Sequence, residues 1–205
     1  MVTVILVRHG ETDWNQSRRI QGGNSDTQLS ERGKQQAESL ATKLEQERIQ
    51  AIYSSSLQRA LDTAQAIAHH HQLKVEIEPS LNEIDAGELE GAPVDKISSH
   101  LYQLLTTGSQ GKSAFKMPGG ESVAEVQQRA WSTIQRLVSQ HPDGVIVIVS
   151  HYFVILSIIC SALNLPLSQM GRLRLGAGSI STIVFDGQAT RLVLLNDICH
   201  LTTPS

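Results

Sequence analysis

Three short stretches carry the side chains best suited to chemistry. "VRHGETDWN" sets Arg8 beside His9, "VSHY" sets Ser150 beside His151, and "SSSLQRAL" carries Arg59. Guanidinium groups offer planar, paired donors that match phosphate oxygens. An imidazole can attack phosphorus and carry the phosphoryl group covalently. A second histidine and two arginines around the same centre would spread positive charge over the equatorial oxygens, where transition-state charge gathers. One histidine after a strand is more often a structural residue, so the set of four carries the reading. A leaving oxygen also needs an acid, and "LNEIDAGELEG" offers Glu83, Asp85, Glu88 and Glu90. Position does not choose among them; a carboxyl group beside phosphate needs a raised pKa to donate near neutrality. The chain has no P-loop, HExxH or cysteine cluster, so no metal and no cofactor is expected.

The surrounding elements must bring these residues together. Val2–Val7 and "GVIVIVS" are all-apolar runs that end on Arg8-His9 and on Ser150-His151. They read as strands buried on both faces. "AIYS" from Ala51 and "KVEIE" from Lys74 read as further strands. Helices are expected in "LSERGKQQAESLATKLEQE" with Ser30 as N-cap, in "SLQRALDTAQAIAHHH", in "GGESVAEVQQRAWSTIQRLVSQH" and in "FVILSIICSALN". A short helix is expected near Val94–Leu105. "SISTIVFDGQATRLVLLN" reads as a hairpin turning at Asp186-Gly187. Alternating strands and helices imply an α/β fold: a three-layer α/β/α sandwich with a mainly parallel central sheet and an antiparallel edge strand. In such sheets the site lies beyond the carboxyl ends of the strands. Arg8-His9, Ser150-His151 and Arg59 could then share one crevice.

With no repeat or long linker, residues 1–205 are expected to form a single domain, with 80–120 as a variable lid or substrate segment. The formal charge of −3 argues against a general nucleic-acid surface but leaves room for a local basic pocket. No apolar run reaches the ~18–20 residues of a membrane span, and "MVTVILV" lacks the basic start of a signal peptide. Cys160 and Cys199 read as reduced thiols in a cytoplasmic protein.

Together "LVRHGETDWN", "IQGGNSDTQLSERGKQQA", "IYSSSLQRALDTA", "LNEIDAGELEG", "GGES", "VSH" and "LNDICHL" make an ordered set covering essentially the whole chain. It resembles the histidine phosphatase superfamily, the phosphoglycerate-mutase-like group, in its small bacterial phosphatase branch. The resemblance implies that His9 accepts the phosphoryl group. It also implies that Arg8, Arg59 and His151 line the phosphate pocket and that Glu83 is the acid and base. Asn15, Gln21 and Gly22 join the phosphate-binding residues, and so does Tyr152 through its backbone N–H. The implied activity is metal-independent hydrolysis of a small phosphorylated metabolite through phosphohistidine. Phosphoserine, a sugar phosphate, a phosphoglycerate-like acid and α-ribazole phosphate are candidate substrates. A cofactor-dependent phosphoglycerate mutase is the alternative, disfavoured because such mutases are typically longer and hold an inserted segment. An interaction protein with weak catalysis is the alternative of another class, disfavoured because the core residues are all present.

Three positions depart from the family pattern. Ala86 stands where phosphoserine enzymes carry a histidine, which weakens phosphoserine as substrate. Leu89 replaces a bulky aromatic and is expected to widen the pocket mouth. Tyr152 replaces the glycine common after "SH", so its side chain is expected to point away, onto the following helix. Other residues read as structural. His69–His71 suit a helix C-terminus better than a metal. Trp14 and Trp131 read as packing, and His200 as structural. Asp26, Asp62, Asp85, Glu88 and Glu90 read as capping, loop or rim carboxylates. Lys112 and Lys116 read as solvated surface charge. Exposed edge strands and the apolar helix leave a homodimer open.

Overall fold

The computed structural model describes residues 1–95, 116–187 and 189–201. Most of the helix expected near Val94–Leu105, Lys112, and the middle of the 80–120 segment lie outside the described residues.

Six strands form one sheet in the order β3-β2-β4-β1-β5-β6. β1 (Val2–Arg8), β2 (Ile49–Ser54), β3 (Val75–Ile77) and β4 (Gly144–Ser150) run parallel to one another. β5 (Ile180–Phe185) runs against β1, and β6 (Thr190–Asp197) pairs antiparallel with β5. The hairpin turns at Asp186 and at Gly187, whose φ of +83° suits glycine. Between the strands lie α1 (Asp13–Gln16), α2 (Glu31–Leu44), α3 (Gln58–His71), α4 (Val123–Gln140) and α5 (Tyr152–Ala162).

The two-residue period of a strand explains why β1 and β4 are apolar throughout. Val4, Leu6, Ile146 and Ile148 share a core with α4 and α5. Ile5, Val7, Val147 and Val149 share the opposite core with α2 and α3. Both faces are therefore covered, as the expected three layers require. Ser30 caps α2 by accepting from Gly33 N, and Ser122 with Glu125 forms a capping box at α4. At the free edge, β6 exposes Val193, Leu194 and Leu195, and its pairing with β5 is interrupted by register shifts. Among the described residues no helix is long and apolar enough to cross a membrane.

The loop after β1 is pressed against the start of α2. A Cβ on Gly33 would lie 2.0 Å from Glu11 O, and one on Gly10 would lie 2.5 Å from Gly33 O. Backbone meets backbone here, and neither side can yield by rotating a side chain. Gly33→Ala is expected to lower stability by about 1–3 kcal/mol, measured by urea denaturation; an unchanged midpoint would contradict this packing.

Candidate active site

β1 and β4 pair in register from Val2 opposite Gly144 to Arg8 opposite Ser150. The next residue in each strand is therefore a histidine at the same level. The rings of His9 and His151 lie 5.0 Å apart between centroids, tilted by 55°. His9 N–H donates to Ser150 O at 3.1 Å, continuing the ladder one step past the strands.

His9 is buried, and its Nδ1 lies 2.7 Å from Gly10 O. A carbonyl only accepts, so Nδ1 carries the proton and Nε2 keeps its lone pair. Burial, then the charges of Arg59 and Arg8, hold the His9 pKa well below 6.5. His151 is fully buried, with Nε2 2.7 Å from Ser55 Oγ and Nδ1 without a partner. Burial and Arg59 lead the causes that lower its pKa too, followed by His9 and Arg8. Ser55 also reaches Asn82 Oδ1 at 2.9 Å, so the β2 loop and the Glu83 segment meet at the second histidine.

Arg8 Nη1 donates to Leu175 O at 2.7 Å, while its buried Nε has no partner. Arg59 is completely buried; Nη1 donates to Ser25 O at 2.7 Å and Nη2 to Gly22 O at 3.1 Å. Burial lowers its pKa to about 10, against the opposing pull of Glu83, Asp26 and Glu90. The Gln21 amide satisfies its neighbours when Nε2 donates to Thr12 and Oε1 accepts from Arg59 Nε at 2.7 Å. Asn15 uses Oδ1 to accept from Thr12 N at 3.1 Å, which leaves Nδ2 as its free donor.

Glu83 is buried on an irregular segment. Its Oε1 accepts from Ile84 N at 2.8 Å and its Oε2 from Phe153 N, in the first turn of α5, at 3.2 Å. Burial raises its pKa; the two N–H groups, Arg59 and Arg8 pull the other way. Of the four carboxylates in this segment, Glu83 alone lines the cleft. Asp85 accepts from Asn24 Nδ2 and Gly87 N, and Glu90 accepts from Gly22 N and Ser25 Oγ.

A cleft of about 480 Å3 opens over these groups, lined by Arg8, His9, Asn15, Gln21, Glu83 and Tyr152 among others. Arg59 and His151 are not in its wall; they lie buried, near enough to His9 to depress its pKa or stack beside it. Three expectations need correction. Gly22 is not in the wall, and its N–H is committed to Glu90 at 3.0 Å; a Cβ there would lie 2.6 Å from Ile84 O, so its contribution is close approach. Tyr152 turns only in part onto the following helix, where its ring meets Phe153 edge-on at 5.6 Å between centroids. Its ring faces Arg8, 5.2 Å from the guanidinium carbon, and lines the cleft. Leu89 packs against the core rather than at the mouth. Ala86 is buried and also outside the wall.

Sequence reasoning missed the support beneath Glu83. Arg129 grips Glu121 with Nε to Oε1 and Nη2 to Oε2, both at 2.9 Å, and donates to Ser80 O and Glu83 O. Glu121 in turn accepts from Asp85 N at 2.9 Å. The signal available was "GGES", quoted above without a role. It also missed Arg18, Arg19 and Arg174, which line the same cleft from two separate loops. His200 lies 3.0 Å from Gly178 O, a structural contact. Among the described residues no group of three His, Cys, Asp or Glu could hold a metal ion.

A parallel sheet that delivers paired histidines and buried arginines to one crevice defines a class, and comparison with known proteins agrees. The chain matches the histidine phosphatase superfamily (branch 1) over residues 4–198 and belongs to it. It is 34% identical to phosphoserine phosphatase 1 of Hydrogenobacter thermophilus, covering 98% of this chain and 95% of that one. It is also 34% identical to a probable phosphoglycerate mutase GpmB of Yersinia pestis, covering 100% and 97%. The solved structure of phosphoserine phosphatase from Entamoeba histolytica with 3-phosphoglyceric acid superposes with a TM-score of 0.87 at 31% identity, covering 98% of this chain and all of that one.

The buried histidines fix a pH dependence. The unfolded chain takes up imidazole protons near pH 6.5, whereas folded His9 and His151 resist them. Stability therefore falls as pH drops below 6.5, by about 1.4 kcal/mol per pH unit for each proton bound only by the unfolded chain. Glu83 acts oppositely: its contribution declines as pH rises above 4.5 through its raised folded value. Urea midpoints are expected to fall from pH 7 to pH 5.5, and His9→Asn should flatten that slope by about one proton. A slope that His9→Asn leaves unchanged would contradict the neutral imidazole.

Proposed function

We propose that the protein is a phosphomonoester phosphatase working through phosphohistidine on His9. The observation that carries this reading is the 2.7 Å contact of His9 Nδ1 with Gly10 O, which leaves Nε2 unprotonated beside two guanidiniums. Nε2 forms a bond to phosphorus as the bond from phosphorus to the ester oxygen breaks, and protonated Glu83 gives its proton to the departing oxygen. A water then attacks phosphorus, the Nε2 bond breaks, and Glu83 takes the water's proton.

Charge on the transferring group falls to Arg8, Arg59 and His151. Arg8 Nε, the Asn15 amide nitrogen and the Tyr152 N–H at the start of α5 are the donors that suit phosphate oxygens. His151 is neutral in its own surroundings, and a phosphate dianion beside it would raise its pKa so that it holds a proton. Two guanidiniums and two imidazoles perform the charge work that a metal does elsewhere, which supports metal-independent hydrolysis. The relatives' names support a small phosphorylated metabolite as substrate. Among the described residues neither Cys160 nor Cys199 is in a disulfide, which supports a cytoplasmic location.

Mutase activity is the competing reading, because several relatives at 34–35% identity bear the name probable phosphoglycerate mutase GpmB. Length does not separate the two: the alignment with the probable mutase spans 97% of it, so this chain is not short by that comparison. Transfer to water or to phosphoglycerate is decided by assay. In EDTA, the wild type is expected to hydrolyse p-nitrophenyl phosphate and to form an acid-labile phosphoenzyme that His9→Ala cannot form. Conversion of 3- to 2-phosphoglycerate dependent on 2,3-bisphosphoglycerate, faster than hydrolysis, would overturn the phosphatase reading. Glu83→Gln should lower kcat by about 10²–10⁴ and abolish the loss of rate that accompanies Glu83 deprotonation on the alkaline side. Arg129→Gln, which loosens Glu83 without touching phosphate, should lower kcat with little change in KM and move that alkaline limb; a fall in stability alone would make Arg129 merely structural.

A further inference from the structure

The chain carries a net charge of −3, yet its cleft gathers Arg8, Arg18, Arg19 and Arg174 against one carboxylate, Glu83. Ile20, Ile84, Met117, Phe153, Leu156 and Met170 give the same cleft an apolar wall. The volume, about 480 Å3, lies inside the ~300–1,000 Å3 range of sites that enclose drug-sized ligands.

The arginines other than Arg8 have no part in phosphoryl transfer as derived above, and folding does not explain their charge. The ion pairs among the described residues engage Arg32, Arg129, Arg136 and Arg191, but not Arg18, Arg19 or Arg174. Arg19 Nη1 donates to Gly91 O at 2.9 Å, and Arg174 Nη1 to Gly171 O at 3.0 Å and Leu173 O at 3.3 Å. Carbonyls steady these two without neutralising them. Arg18 is the sharper case. It follows Ser17, the C-cap of α1, with φ at +51°, in the left-handed conformation where glycine is the usual residue. Local backbone preference therefore disfavours an arginine at a place from which its side chain reaches the cleft.

We propose that Arg18 and Arg174 form a second anion subsite, so that the preferred substrate is a phosphomonoester with an apolar body and a further carboxylate or phosphate at its far end. This rests on the phosphatase reading. The phosphate docks at Arg8 and His9, the body lies along the apolar wall, and the distal anion meets guanidiniums from two loops. A mouth carrying the exposed Arg18, Arg19 and Arg174 also draws such dianions from solution.

The test compares 4-carboxyphenyl phosphate with its uncharged isostere 4-carbamoylphenyl phosphate, so that leaving-group chemistry stays nearly constant. A third substrate, 1,4-phenylene bisphosphate, separates a distal phosphate from a distal carboxylate. At low ionic strength kcat/KM is expected to be at least about tenfold higher for one of the charged substrates than for the isostere. That ratio should shrink as salt is added. Arg18→Gly and Arg174→Gln should each reduce it by about five- to tenfold. Arg18→Gly should not lower the urea midpoint, because glycine suits the backbone there, so a lost ratio cannot be laid to unfolding. Hydrolysis of all three substrates at similar kcat/KM, or a ratio insensitive to both substitutions, would overturn the subsite and leave the phosphatase reading intact. No hydrolysis of any of them would overturn the phosphatase reading and the subsite with it.

Discussion

The site depends on the register between β1 and β4. These neighbouring parallel strands each end one residue before a histidine, and they pair with Arg8 opposite Ser150. That pairing alone sets His9 and His151 side by side. A slip of one residue would turn every side chain of one strand to the opposite face. Val4 and Leu6 would then leave the core they share with α4 and α5, and Ile5 and Val7 the one they share with α2 and α3. Two hydrophobic cores therefore hold the register, and the register holds the histidine pair. Burial on both faces does the work of positioning; no side-chain hydrogen bond joins the two rings.

The second constraint is electrostatic. Arg59 is wholly buried among loop carbonyls, and Arg8 has a buried Nε with no partner. Buried charge is costly unless something compensates it. Burial lowers both guanidinium pKa values; carbonyl oxygens of Gly22, Ser25 and Leu175 compensate in part, and the nearby Glu83 carboxylate pulls against the lowering. Burial first, and the same positive potential after it, keep both imidazoles neutral. A dianion entering the crevice would relieve all of these groups together, which is a physical reason for the site to favour phosphate over an uncharged ligand.

Much of the fold was legible because its signals are local. All-apolar β-branched runs, Ser30 as a cap, and Asp186-Gly187 as a turn depend on short stretches of chain, and these elements appear where expected. His9 and His151 were legible because they directly follow such strands, and Arg8 because it ends one. Residues acting across the fold were not. Whether Gly22 offers its N–H to a ligand depends on Glu90, 68 residues away. Tyr152 was expected to turn onto α5, but the guanidinium of Arg8, on another strand, provides a face for its ring. Arg18 and Arg174 line one cleft only in three dimensions, and nothing in the spacing of single arginines announces it.

Glu83 shows why the supporting residues matter as much as the reacting ones. In the role proposed for it, Glu83 first gives and then takes a proton, which needs a pKa raised only so far. Burial pushes it up, while two backbone N–H groups and two arginines pull it down. One of those N–H groups belongs to α5, so the balance depends on how closely the Glu83 segment is drawn against that helix. The fork of Arg129 on Glu121, with its further bonds to Ser80 O and Glu83 O, ties the segment to α4 instead. The carboxyl group is thus suspended between two helices that pack on each other in one core. A side chain that never meets the substrate can in this way set the proton inventory of the reaction, by fixing how deeply Glu83 is buried and which donors reach it.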